Sequence, residues 1–131
     1  VGGTFQGESW KRIGFTRQIL DALPNPLHLC DSSWDPYTST AGENYYMIYL
    51  GKEIKPEWAF DLPVKNAFYP RLKEGVRFKV EVIDTWNMTI AEWPAVFETT
   101  APVKDRVNDK NQGRVRLPAS PYLLLRITEV E

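Results

Sequence analysis

A chain of 131 residues with 43% hydrophobic residues is long enough for one complete core, and 16 Lys and Arg against 17 Asp and Glu leave a net charge of -1, so there is no long-range positive field of the kind a nonspecific nucleic-acid binder uses. One cysteine, Cys30, and one histidine, His28, exclude an intramolecular disulfide and a cysteine-based zinc cluster. No apolar run approaches the roughly 20 residues that cross a bilayer and no charged-start, apolar-middle leader is seen, so the expectation is one main domain with no nucleic-acid or membrane partner, no metal and no cofactor.

The chain opens at Val1 without an initiator Met, as a processed product or an excised piece of a longer protein would, and its localisation is left open. In the opening VGGTFQGES, Ser9 stands where a helix N-cap would stand, with Glu8 beside the positive helix end. From Trp10 to about Ala22 the spacing predicts a helix: Trp10, Ile13, Phe15, Ile19, Leu20 and Leu23 recur at helical intervals, and Pro24 and Pro26 end it. Gly14 inside it suggests close packing against a partner element.

After this stop the helical period does not return. Leu27 to Ser33 is a short extended candidate, and Ser33 to Glu43 reads as a turn-rich loop. Asn44 to Leu50 is rich in strand formers on both faces, which predicts a central strand covered on both sides. Glu57 to Leu62 turns Trp58, Phe60 and Leu62 inward. Val76, Phe78, Val80 and Val82 then alternate with Arg77, Lys79 and Glu81, and this half-buried strand is the element on which the rest is assembled. Its end, Asp84-Thr85-Trp86-Asn87-Met88, loses the alternation. Asp84 and Asn87 there are expected to build a turn by bonding nearby backbone, Asn87 also tolerating a left-handed conformation, while the Trp86 ring caps the core.

Further strands are expected at Thr89–Trp93, Ala95–Thr100, Gly113–Leu117 and Tyr122–Glu129. Lys104 to Arg114 reads as an exposed hairpin loop, with a partly disordered insertion as the alternative. The fold class predicted is mainly β: an antiparallel β-sandwich of seven or eight strands preceded by one α-helix.

The chemistry is sparse. GKEIKP lacks the spacing of a phosphate loop, the serine elbow and the HExxH zinc motif are absent, and the acids Glu8, Asp31, Asp35, Glu43, Asp61 and Asp84 show no spacing that selects a catalytic pair. No catalytic residue is assigned. Aromatic content, 13%, is the one elevated signal. Sugars stack on exposed aromatic faces, so Trp34, Tyr37, Trp86, Asn87 and Trp93 form a candidate carbohydrate platform; the competing reading is that these rings supply core area. Asn87-Met88-Thr89 is formally an N-glycosylation acceptor.

The runs AGENYYMIYLG (41–51), WAFDLP (58–63) and KVEVIDTWNMTI (79–90), with LPASPYLLLRI (117–127), resemble a bacterial C-terminal domain of unknown function of the DUF5605 type. That domain follows the (β/α)8 barrel of glycoside-hydrolase-like proteins related to apiosidases and to proteins once labelled collagen-binding. The start, GGTFQGES (2–9) with RIGFTRQIL (12–20), is similar to the last loop and helix of the same barrels, with Gln6 where a histidine is expected. The resemblance implies two segments: residues 1–26, the end of a preceding barrel, and residues 27–131, the C-terminal sandwich. It further implies a non-catalytic accessory domain that packs on the barrel through Trp10, Ile13, Phe15 and Ile19, the catalytic acids lying upstream. The alternative is an independent carbohydrate-binding module.

Overall fold

The computed structural model describes residues 2–30, 37–65 and 68–130. Helix α1 (Gly2–Asp21) is followed by β1 (His28–Leu29), β2 (Thr38–Gly42), β3 (Tyr45–Tyr49), β4 (Glu57–Ala59), β5 (Asp61–Pro63) and β6 (Arg77–Asp84). Then come β7 (Thr89–Glu92), β8 (Phe97–Glu98), β9 (Arg106–Asn108), β10 (Arg114–Arg116) and β11 (Leu123–Glu129). The fold is mainly β, as expected, with more strands than the seven or eight read from the sequence.

The difference has three sources. The run Glu57–Leu62 is split at Phe60 into β4 and β5. β2 lies in the segment read as a loop, because its buried residues include Thr38, Thr40 and Ala41, too small and polar to give a period-two signal. β9 lies in the run read as an exposed hairpin, where the single apolar residue Val107 is fully buried.

β6 and β11 pair antiparallel at the centre of the main sheet, whose order is β1-β2-β3-β11-β6-β7, with β8 joining β6 beyond the end of β7. The alternation predicted for β6 holds: Phe78, Val80 and Val82 are buried on one face, and register sets Ile127 opposite Val80 and Leu125 opposite Val82. A second, smaller layer covers this face. In it β10 pairs with β4 and β9 with β5, and the Phe60 N–H donates to the Gly113 carbonyl at 3.2 Å between the two pairs. Phe60 is central, stacked on Phe97 (ring centroids 5.0 Å apart) and 6.0 Å from Phe78, with Trp58 against its edge.

Helix α1 covers the opposite face. Phe15 and Ile19, with Leu23 just beyond the helix, pack on Tyr45, Met47, Ile83 and Leu124. The helix begins at Gly2, so Ser9 lies inside it and does not cap it. Extending a formed helix costs far less than nucleating one, and the leading glycines therefore do not set the boundary. Gly14 faces open space, so the close packing expected of it is not made here.

The loop between β9 and β10 is organised inward. Asp109 is buried; its Oδ1 accepts the Glu98 N–H at 2.8 Å, and its Oδ2 accepts the N–H groups of Gly113 at 2.8 Å and Asn111 at 3.2 Å. A Cβ on Gly113 would stand 2.6 Å from Phe97 Cε1 and 2.8 Å from Asp109 Oδ2. Gly113→Ala is therefore expected to cost about 1–3 kcal/mol, read as a lower urea midpoint at unchanged slope; an unchanged midpoint would show that Phe97 yields freely.

Candidate functional site

The turn between β6 and β7 is built around one carboxylate. Asp84 is 5% exposed; its Oδ1 accepts the Asn87 N–H at 3.0 Å and its Oδ2 the Asn87 side-chain amide at 2.9 Å, and that amide also donates to Ser120 Oγ at 3.0 Å. Thr85 Oγ1 donates to the Tyr122 carbonyl at 2.6 Å, so the turn is tied twice to the segment entering β11. The left-handed residue is Met88 (φ 58), not Asn87. Burial pushes the Asp84 carboxyl up, but bonds from Asn87, the Ser120 hydroxyl and the Trp86 backbone outweigh it and hold the group below its ordinary range.

Trp86 does not cap the core. The residue is 42% exposed, with the Arg12 guanidinium 3.8 Å from the ring centroid and the Tyr122 ring 6.1 Å away at 39°. Arg12 Nε also donates to the Trp86 carbonyl at 3.0 Å. Turn and helix together bound a largely apolar groove of about 760 Å³, lined by Ile13, Thr16, Leu20, Thr85, Trp86 and Tyr122.

The other aromatic residues singled out from sequence lie elsewhere. Trp93 packs against the inner core and its N–H donates to the Val80 carbonyl at 2.8 Å, at the far end of β7 from the turn. Trp86 and Trp93 thus lie at opposite ends of one strand and do not share a platform. Trp34 lies outside the described residues, as do Asp31 and Asp35. Tyr37 is exposed and meets Tyr49 edge-on, centroids 6.4 Å apart and planes at 73°. Both line a second cleft, of about 570 Å³, with Trp58, Asp61, Arg106 and Asn108. Of these, Tyr37 is a site candidate from the sequence and Asp61 is one of its scattered acids; Arg106 and Asn108 carry no sequence signal and are brought beside Asp61 by the pairing of β5 with β9.

Among the described residues no group of three His, Cys, Asp or Glu side chains is placed to hold a metal ion. His28 stacks on Phe68 at 3.8 Å, and Cys30 is buried in the core.

Residues 34–128 match the family model described as a domain of unknown function (DUF5605). The chain belongs to the DUF5605 family. This DUF5605 chain is also similar to a solved structure described as a putative glycoside hydrolase from Bacteroides vulgatus ATCC 8482, at 53% identity and a TM-score of 0.90. The likeness covers 94% of this chain and 24% of that one, so the DUF5605 chain spans about a quarter of that protein's length. No curated protein matches it.

Within the turn the buried carboxylate matters more to stability than the half-exposed indole. Asp84→Ala removes a buried charged acceptor and is expected to cost about 1.5–3 kcal/mol, more than Trp86→Ala at about 1–2 kcal/mol, since that ring is half in water and its cation contact is near the surface. Because the folded-state carboxyl is held down, the Asp84 contribution is complete above the unfolded carboxylate value of about 3.9 and is lost as pH falls through the folded value. Urea unfolding should therefore show the gap between the parent chain and Asp84→Ala closing in acid; a gap constant down to strongly acidic pH would refute the assignment.

Proposed function

We propose that this chain is a non-catalytic accessory domain that packs against and stabilises the (β/α)8 barrel of a glycoside-hydrolase-type protein, residues 1–26 being the end of that barrel and 27–131 the sandwich. The observation that carries this reading is that α1 is apolar on two sides. Phe15 and Ile19 are spent on the sheet, whereas Trp10, 73% exposed, with Ile13 and Leu20 forms a stripe facing away from it. A helix that already covers one core has no use for a second apolar stripe in water. The groove beside Trp86 continues that stripe, so helix and turn present one surface.

The occupant is the preceding domain of the same protein. A similar protein is about four times as long as the matched part, and its description is that of a putative glycoside hydrolase. The contact set differs from the one expected from sequence: Trp10 and Ile13 are free to face a barrel, Phe15 and Ile19 are not, and Leu20 joins them.

The test is a comparison of two contexts. Trp10→Ser combined with Leu20→Ser should leave the melting temperature of the 131-residue chain nearly unchanged and lower that of the full-length parent by several degrees. Equal effects in both would reject the interface. The 131-residue chain should also hydrolyse no aryl glycoside above a matched blank, and turnover tracking with the purified chain would reject the non-catalytic role.

A further inference from the structure

We propose that the cleft bounded by Tyr37, Tyr49 and the outer row of β5 and β9 is a binding site for a neutral saccharide. The reasoning starts from strand register. Asp61 and Asn108 are direct partners across β5 and β9, and Arg106 lies two residues before Asn108, so the three side chains leave the same face of the ribbon. The alternate residues Leu62 and Val107 are fully buried in the core, which fixes that face outward. A carboxylate, a carboxamide and a guanidinium thus stand in one row along the cleft.

These groups are held before any ligand arrives. Arg106 Nε donates to Asp61 Oδ1 at 2.8 Å, while the Asp61 side chain keeps 40% of its surface exposed. The Asn108 amide donates to the Phe60 carbonyl at 3.2 Å. Planar groups fixed in this way suit the paired hydroxyls of a sugar ring, each able to accept or donate two bonds without first losing rotamer freedom.

The opposite wall supplies the apolar component. Tyr37 and Tyr49 stand nearly perpendicular, forming a corner in which the C–H face of a pyranose or furanose ring can lie on one ring and be bounded by the other. Charge in the lining is nearly balanced, Lys52, Lys55 and Arg106 standing against Glu53 and Asp61, so the cleft carries no strong field of either sign and suits a ligand bound by hydrogen bonds and stacking. A volume of about 570 Å³ is in the range of small-ligand sites. Among the described residues none of helix α1 lines this cleft, so the site stands or falls apart from the barrel interface.

The experiment is heteronuclear NMR titration of the 131-residue chain with xylohexaose, cellohexaose and an arabinan hexamer, with a galacturonate hexamer as the anionic control. At least one neutral oligosaccharide should shift the amides of Tyr37, Tyr49, Asp61 and Asn108. Tyr37→Ala and Asn108→Ala should each weaken that binding about tenfold or more, Tyr37→Ala at unchanged melting temperature and Asn108→Ala at one modestly lowered by loss of its bond to the Phe60 carbonyl, and Tyr37→Phe should retain most of it because the stacking face survives. The proposal is overturned if no neutral sugar moves these resonances, if only the galacturonate binds, if the shifts cluster at Trp86 instead, or if both alanine variants bind as the parent chain does.

Discussion

The pairing of β6 with β11 is the constraint on which everything else rests, because it stands at the centre of the main sheet and is covered on both faces. Its inner face, Phe78, Val80 and Val82 with Leu123, Leu125 and Ile127, meets the aromatic cluster around Phe60. Its outer face is shared between the helix, over Ile83 and Leu124, and an ion pair where Glu81 and Arg126 face each other in register. Arg126 donates to Glu81 through Nε at 2.9 Å and Nη2 at 3.0 Å, and this fork holds the Glu81 carboxyl below its ordinary range. A one-residue slip would drive Glu81 and Lys79 into the aromatic core, so alternation and fork specify the same register.

Two buried aspartates organise chain that the ladder bonds leave unpaired, one at a turn of the main sheet and one in the second layer. Asp84 organises the exit of β6, and Asp109 the passage from β9 to β10. Each accepts backbone N–H groups that would otherwise be orphaned in a turn, which is how two carboxylates can be this deeply buried. Gly113 is required beside the second because Phe97 occupies the space a side chain would need.

The strands with large alternating residues were legible: the inward rows of β3, β6, β11 and the Trp58-Phe60-Leu62 run are where the period-two pattern puts them. The family resemblance resting on 79–90 was legible too, since that run joins the central strand to its carboxylate-pinned turn. β2 was not, because a strand buried through Thr and Ala carries no hydrophobic amplitude. β9 was hidden in a polar run where one Val and one Asp do the burying. Site reading failed for a related reason: a Trp in a loop looks the same in sequence whether its ring meets a core, as Trp93 does, or a guanidinium, as Trp86 does. The cleft of Asp61 and Asn108 exists only through pairing between residues 43 to 47 positions apart, which no local pattern encodes.

The contact between Arg12 and Trp86 joins these levels. Arg12 both lies over the indole ring and donates to the Trp86 carbonyl, a combination that needs the planar, multi-donor guanidinium and that a lysine would not reproduce. It fixes the front half of α1 to the turn, while Ile19 and Leu23 fix the rear half to the sheet. The turn is in turn fixed by Asp84, Asn87 and Ser120 to the entry of β11. The direction of the helix is therefore set by the sandwich and not by whatever covers its outer stripe. On the proposed interdomain reading, this makes the Asp84 turn the element that determines the angle at which the sandwich meets its barrel.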